Sequence, residues 1–160
     1  NTAKMATYGE VDIDFVSENI ANDPFYQSLA PTMQSKVHDI EFTVGEPVIS
    51  GEKATISTDF VVYDLGKALR DALVEFRKEN LVQVVAGHYE QSELDAAMIT
   101  SLQESLDAAE KNGKFRVEIV LDHSSGKWRV EALRETNQQL AYVLTACIYG
   151  EKPPKTPRSK

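Results

Sequence analysis

Three histidines and one cysteine are the residues of this chain whose types are most often used in catalysis or metal binding. His38, His88 and His123 lie far apart, and none belongs to the HExxH pattern that places two histidines on one face of a zinc-binding helix. Cys147 lies in an apolar stretch without a neighbouring histidine or a cationic flank, which favours a buried thiol over a reactive one. These spacings predict neither a metal site nor a cysteine nucleophile.

Two Ser-x-x-Lys motifs begin at Ser50 and Ser124, with the spacing that places a serine nucleophile and a lysine one helical turn apart. Both segments contain a glycine between alternating runs, so we expect hairpin turns, in which that geometry is lost. Asp12 and Asp14 begin like a calcium loop, but the ligands and the glycine that should follow are missing. We therefore predict no catalytic, cofactor-binding or metal-binding residue, and no turnover that depends on a histidine, Ser124 or Cys147.

Carboxylates and tyrosines are numerous, but their spacing assigns them to no site. Asp39 and Glu41 alternate with apolar residues, so we expect them to face solvent or to form cross-strand ion pairs. The same is expected for four charged residues farther along the chain: Arg116, Glu118, Arg129 and Glu131. Three tyrosines either line a pocket between sheet and helices or, as is commoner for such aromatics, fill the core: Tyr63, Tyr142 and Tyr149.

The chain is acidic, with 17 Lys/Arg and 25 Asp/Glu among 160 residues and a formal net charge of −8. Residues 150–160 hold four of the basic residues and one acidic residue, which leaves 13 basic against 24 acidic residues, or −11, for the rest. Such a body repels phosphate backbones, so nucleic acid is not an expected partner. No apolar run reaches the roughly 20 residues that span a membrane. The missing initial Met suggests a mature or trimmed chain.

The elements that must position these residues are strands and helices in succession. Alternation of apolar and polar residues predicts two β-hairpins, over residues 37–63 and 114–133, with turns at Gly51 and Gly126. Apolar residues at every third or fourth position predict helices over residues 65–85, 92–111 and 137–149. The sequence therefore predicts an α+β fold, an antiparallel sheet of two hairpins with helices packed on one face.

Local signals refine the helices. Asp64 is expected to cap the helix over residues 65–85, whose apolar stripe continues toward Leu81 and Val84. Ser92 and Asp95 resemble a capping box. Before the first hairpin, short helices are predicted from Asp12, with Ile13, Val16 and Ile20 on one side, and from Pro24, with Pro31 ending or kinking the second.

The bounds of the domain follow from the same patterns. Residues 1–150 are predicted to form a single domain, and the charged, proline-rich residues 151–160 a disordered tail. Trp128 alternates with Val130 and Ala132, so we expect it to be largely buried under the helices.

The order of these elements resembles a known group of domains. The hairpin turn SGEKATIS, the loop VYDLGKAL that enters a helix, a long second helix and the hairpin KFRVEIVLDHSSGKWRVEAL are similar to uncharacterised lipoprotein domains of Gram-positive bacteria with cystatin-like or SnoaL-like α+β folds. The similarity covers residues 37–148, and its most specific piece is the return strand G-K-W-x-V at residues 126–130. The resemblance implies an extracytoplasmic domain, held at the cell surface by a lipid anchor upstream of this chain, and it implies no catalytic residue.

Three functional hypotheses remain at this point. The leading one is a non-enzymatic extracytoplasmic binding or interaction module for an unknown protein or small-molecule ligand. The alternative is a small-molecule-binding or catalytic SnoaL-like domain that uses a cavity between sheet and helices. The third is a homodimer formed through the exposed face of the sheet. Titratable groups that converge in a cavity would favour the second hypothesis over the first.

Overall fold

The computed structural model of the protein describes residues 24–154, with side chains from residue 27 onward. The described chain is α+β, as predicted. The helix predicted around Ile13 and the end of the predicted tail, residues 155–160, lie outside the described range. The helices are α1 (Pro24–His38), α2 (Leu65–Val85), α3 (Gln91–Ala108) and α4 (Arg134–Leu144), and the strands are β1 (Glu41–Val44), β2 (Val48–Ser50), β3 (Lys53–Val62), β4 (Gly113–Asp122) and β5 (Arg129–Val130).

The five strands form one curled antiparallel sheet in the order β1-β3-β4-β5, and β2 also pairs with β3. β1 and β2 lie along the same edge of β3, since β4 pairs with β3 over its whole length on the other side. Val44 pairs with Thr58 and Val48 pairs with Thr55. The three residues 45–47 of the edge therefore lie opposite only two residues of β3, 56 and 57. This β-bulge contains Pro47, which cannot donate a ladder hydrogen bond.

One face of the sheet, called here the inner face, carries only uncharged side chains among its paired residues. The register places Phe42, Phe60 and Phe115 in one row across three strands, and the Phe42 and Phe60 ring centroids lie 6.3 Å apart. Because side chains alternate along a strand, the charged residues fall on the outer face. A second row crosses the far end of the inner face and consists of Ile49, Ala54, Leu121 and Val130.

Two clusters of buried side chains form the core. The first lies between the inner face and α4 and contains Phe60, Val62, Phe115, Val117, Val143 and Cys147. The second lies among α1, α2 and α3 and contains Leu29, Leu65, Ala72, Leu102, Leu106 and Ala146. The adjacent residues Ala146 and Cys147 therefore belong to different clusters, and the segment after α4 connects the two parts of the core.

Helix α1 is longer than predicted and replaces the start of the first predicted strand. Pro31 was expected to end or kink this helix, but the helix continues past Pro31 to His38, so the proline does not end it. Leu29, Met33 and Val37 recur every four residues and pack in the helical cluster, which offsets the hydrogen bond lost at the proline. Lys36 Nζ donates to the carbonyls of two residues at the end of α3, 3.2 Å from Asp107 O and 3.0 Å from Ala109 O.

The hairpin predicted over residues 114–133 is present, but its return strand is short. Gly126 has a φ of +78° in the turn, as its position predicts. β5 contains only Arg129 and Val130, and no helix of the described range covers this end of the sheet. Trp128 is 45% exposed, so the prediction that it is largely buried is wrong. Its ring instead packs on the ring of His123, with centroids 4.8 Å apart.

The start of α2 follows the prediction, whereas its end does not. Asp64 caps the helix, because its carboxylate accepts a hydrogen bond from the Lys67 N–H at 2.9 Å. Leu81 and Val84 do not continue the buried stripe, since the ten residues 81–90 are all exposed. The last turns of α2 lie beside the first turns of α3, where Asn80 and Gln83 line a shallow cleft with Glu93, Leu94 and Ala97.

The predicted capping box of α3 is absent. α3 begins at Gln91, one residue before Ser92, and Glu90 at its N-cap makes no side-chain capping bond. Asp95 accepts a hydrogen bond from Gln91 Nε2 at 2.7 Å instead.

Helix α4 ends at Leu144, five residues before the predicted end, in a turn of left-handed backbone. Ala146 and Cys147 have φ values of +50° and +67°, which side chains disfavour. This conformation aims the Ala146 carbonyl at the start of α2, where it accepts hydrogen bonds from Leu65 N at 3.0 Å and Gly66 N at 3.3 Å. The turn thus satisfies two of the free N–H groups at the N-terminus of α2.

Candidate functional site

The residues examined for chemistry lie in separate parts of the fold. His38 ends α1, His88 lies in the connection between α2 and α3, and His123 follows β4. Ser50 ends β2 and pairs with Lys53 across the hairpin turn, and Ser124 lies in the turn after β4, so neither serine shares a helical turn with its lysine. Within residues 24–154, no group of three or more His, Cys, Asp or Glu side chains is arranged to hold a metal ion.

Cys147 is buried, as predicted, and its thiol is not activated. Desolvation, together with the negative charge of Asp64, raises the pKa of Cys147 to about 12. Burial and contact with Cys147 also raise the pKa of Tyr142 to about 12. Both groups are therefore neutral near pH 7, and the thiolate that a nucleophile requires is not formed.

The three tyrosines do not line one pocket. Tyr142 packs edge-on against Phe115, with centroids 5.5 Å apart, and contributes to the core. Tyr63 donates a hydrogen bond to Asp39 at 3.2 Å, and Tyr149 lines a cleft near the end of the described chain.

The ion pairs involve partners that the sequence does not single out. Lys111 Nζ lies 2.6 Å from Asp39 and 3.0 Å from Glu41 and joins the loop before β4 to β1. The Lys111 ammonium lowers the pKa of Asp39, and the two carboxylates raise the pKa of Lys111. Arg116 and Glu131 do form ion pairs across strands, as expected, and their partners are Asp59 and Lys53 respectively. These pairs hold elements of the fold together.

A cleft of about 250 Å³ lies between α1 and the segment after α4. Its walls are nearly all apolar, and they do not belong to the sheet, so this is not the cavity between sheet and helices that the alternative hypothesis needs. It is also smaller than the roughly 300–1,000 Å³ typical of small-molecule sites. The side chains that line it are Ala30, Met33, Gln34, Val37, His38, Thr145, Ile148 and Tyr149.

Exposed apolar side chains of the described range form a strip on the inner face of the sheet, called here the open strip. α4 packs on the inner face beside Phe60 and Phe115, near the end of β3 and the start of β4, and the inner side chains at both edges of the sheet, on β1 and β2 at one edge and on β5 at the other, are exposed. Its members are between 45% and 65% exposed, and they are Phe42, Val44, Ile49, Trp128 and Val130. Aromatic side chains cover roughly 150–250 Å² each, so the strip exposes several hundred Å², as much as the largest patches on typical monomers.

Two free carboxylates lie beside the open strip, at the two ends of β2. Glu46 precedes the strand in the bulge, and Glu52 follows it in the hairpin turn. Both are exposed, and neither takes part in an ion pair with another described residue. The strip therefore combines an uncharged apolar surface with two free carboxylates at its β2 end, whereas the exposed Lys127 and Arg129 lie beside Trp128 and Val130 at its β5 end. The alternation of apolar and polar residues in the sequence predicts that these side chains share one face. Their exposure could not be predicted, because it depends on how much of that face α4 covers.

Comparison of the chain with models of protein families, with curated proteins and with solved structures finds no match. Among the helices of the described range, none is long and apolar enough to cross a membrane.

Proposed function

We propose that the protein is a non-enzymatic interaction module that binds an apolar, positively charged segment of a partner protein on the open strip. The extracytoplasmic location and the upstream lipid anchor belong to the same proposal, and the resemblance of residues 37–148 supports them. The open strip is the observation that carries the proposal.

Exposure of the open strip is the first argument. Phe42, Val44 and Ile49 remain more than half exposed although the residues opposite them in β3 are buried. Each apolar side chain of this size gains roughly 1.5–3 kcal/mol when it is fully buried. A partner that covers the strip would therefore gain from several side chains at once, and no charged group of the inner face would be desolvated.

Charge is the argument for the kind of partner. The whole chain carries −8, and Glu46 and Glu52 add unpaired negative charge beside the strip. A segment with lysines or arginines next to its apolar residues would be attracted during approach and paired on contact. Extension of the sheet by an added strand is less suitable, because Pro47 and the bulge interrupt the edge.

Two synthetic helical peptides with the same leucine stripe, one carrying lysines and the other glutamates, test this proposal. Trp128 is the single tryptophan, so its fluorescence reports binding. We expect the lysine peptide to bind and the glutamate peptide to bind at least about tenfold more weakly. Ile49→Ser should weaken binding about tenfold, since loss of one buried side chain corresponds to at least 1.4 kcal/mol. Val82→Ser, an exposed apolar substitution on α2, is the matched control.

Two results would contradict the proposal. Equal affinity for both peptides, or equal losses in Ile49→Ser and Val82→Ser, would show that the strip does not select a cationic partner. If sedimentation equilibrium instead detects a dimer that Ile49→Ser dissociates, the occupant is a second copy of the chain, as the third hypothesis has it.

The cleft between α1 and the segment after α4 supports a second candidate function, the binding of a small aliphatic molecule. Its walls include Met33, Val37 and Ile148, and its volume of about 250 Å³ suits a short alkyl chain. Thermal denaturation with 1-octanol tests this function. We expect Ala30→Phe, which fills the cleft, to abolish any stabilisation by the alcohol, and stabilisation that persists in the variant would refute the assignment.

A further inference from the structure

Helix α2 carries a second apolar stripe on the side that faces away from α3. Val74, Leu81 and Val85 are 50%, 59% and 78% exposed. They are separated by seven and four residues, so they lie within about 40° of one another around a helix of 3.6 residues per turn. The buried residues of the same helix, Leu65 and Phe76, lie on the opposite side.

Basic side chains flank this stripe. Arg70 lies one turn before Val74, and Arg77 and Lys78 lie one turn after it. Arg70 and Arg77 form no ion pair with any other described residue. Lys78 lies 3.4 Å from Glu75, but both side chains are more than 60% exposed, and such a pair is weak in solvent. The surface made by these six residues is called here the α2 outer face.

We infer that the α2 outer face docks on an anionic lipid surface, with α2 lying along the membrane plane. An interfacial helix of this kind immerses its apolar stripe and keeps lysine and arginine head groups at the level of the lipid phosphates. The proposal is independent of the proposed function, whose surface lies on the sheet.

Charge complementarity selects the lipid. The chain is acidic overall, whereas helix α2 carries four basic residues, Lys67, Arg70, Arg77 and Lys78, against three acidic ones, Asp71, Glu75 and Glu79. Two of these acidic residues are paired on the helix, Asp71 with Lys67 and Glu75 with Lys78, which leaves Arg70 and Arg77 against Glu79.

Shape supports the same choice. The face is the convex side of a single helix, and residues 81–85 at its end are all exposed. A convex ridge fits a deformable plane, whereas a protein partner would have to supply a matching groove. The stripe extends over three turns, which is enough for side-on contact along the helix.

Vesicle co-sedimentation of the full chain tests the inference, with vesicles of phosphatidylcholine alone and of phosphatidylcholine mixed with phosphatidylglycerol. We expect binding to the mixed vesicles only, and weaker binding as salt is raised. Arg70→Gln with Arg77→Gln should reduce the partition constant at least about tenfold, since each basic residue near an anionic surface changes it roughly fivefold. Leu81→Ser with Val85→Ser should reduce it by a similar factor. Ile49→Ser, on the sheet, should leave it unchanged.

A fluorescent variant gives a direct readout. Leu81→Trp in a Trp128→Phe background should shift its emission to the blue when mixed vesicles are added, and not with phosphatidylcholine alone. Absence of binding to mixed vesicles, or equal losses in Ile49→Ser and the α2 variants, would overturn the inference. So would a dimer in sedimentation equilibrium that the Leu81→Ser and Val85→Ser pair dissociates while vesicles bind neither protein, because the occupant would then be a second copy.

Discussion

Substitution of Gly66 by alanine should destabilise the protein, although alanine normally stabilises a helix by about 1 kcal/mol relative to glycine. Gly66 is buried in the first turn of α2, beneath the left-handed turn after α4. A Cβ at this position would collide with the carbonyl oxygen of Cys147 and would lie 2.9 Å from its carbonyl carbon. Both obstacles are backbone atoms, so a change of rotamer cannot relieve the clash.

The magnitude follows from what must move. If the turn shifts, the hydrogen bonds from Leu65 N and Gly66 N to Ala146 O are lost, at roughly 1 kcal/mol each. Overpacking of a buried site adds about 1–3 kcal/mol, and the gain in helix propensity offsets about 1 kcal/mol. We therefore expect Gly66→Ala to lower the free energy of unfolding by about 2–4 kcal/mol.

Urea denaturation followed by circular dichroism measures this loss, and Gly126→Ala is the matched control. Gly126 has a φ of +78°, but a Cβ there would meet nothing within 4 Å. The control should therefore lose only about 1 kcal/mol, from the left-handed backbone alone. A Gly66→Ala protein as stable as the wild type would refute the role assigned to the turn.

Three further outcomes are expected. Trp128→Ala should cost less than about 1.5 kcal/mol in urea denaturation, whereas Phe115→Ala, in the core of the sheet, should cost about 3–5 kcal/mol; the reverse order would mean that the end of the sheet is covered. Cys147 should react with a thiol reagent at pH 8 only when the protein unfolds, because burial raises its pKa to about 12; native-state labelling at the rate of a free thiol would contradict this. Arg116 lowers the pKa of Asp59 in the folded state, so the stabilisation from this pair is present above the unfolded pKa of about 3.8 and is lost as the pH falls through the lowered value. Urea denaturation from pH 6 to pH 2 should therefore show a shallower loss of stability for Asp59→Asn than for the wild type, and identical profiles would remove the pair as a cause.

Long periodic segments could be predicted from the sequence because a single period dominates them. α2 has its predicted bounds, and β3 and β4 follow their alternation of apolar and polar residues. Residues 37–40 were ambiguous, since His38 and Ile40 alternate like a strand while Val37 continues the four-residue spacing of Leu29 and Met33. Leu29, Met33 and Val37 pack together in the helical cluster, and this packing stabilises the helical conformation as far as His38.

Features that depend on distant contacts could not be predicted. No glycine or proline marks the end of α4, because Ala146 and Cys147 adopt left-handed backbone in response to the N–H groups of α2, about 80 residues earlier. The open strip is a related case: periodicity identifies the face of Ile49 and Trp128, but not how far a helix reaches over it. The α2 outer face did have a local signal, the spacing of Val74, Leu81 and Val85, which the buried stripe of the same helix obscured.

The turn at Ala146 and Cys147 also determines how the two proposed surfaces can be separated by experiment. The open strip belongs to the sheet and its α4 cluster, whereas the α2 outer face belongs to the helical cluster, and these adjacent residues are where the clusters meet. Ile49 and Leu81 are each exposed at the edge of their own part and contribute to neither cluster. Replacing either with serine therefore removes one surface without disturbing the core beneath the other. For this reason each substitution can serve as the control for the other, and a variant that lost both activities would indicate that the turn, rather than a surface, had been disrupted.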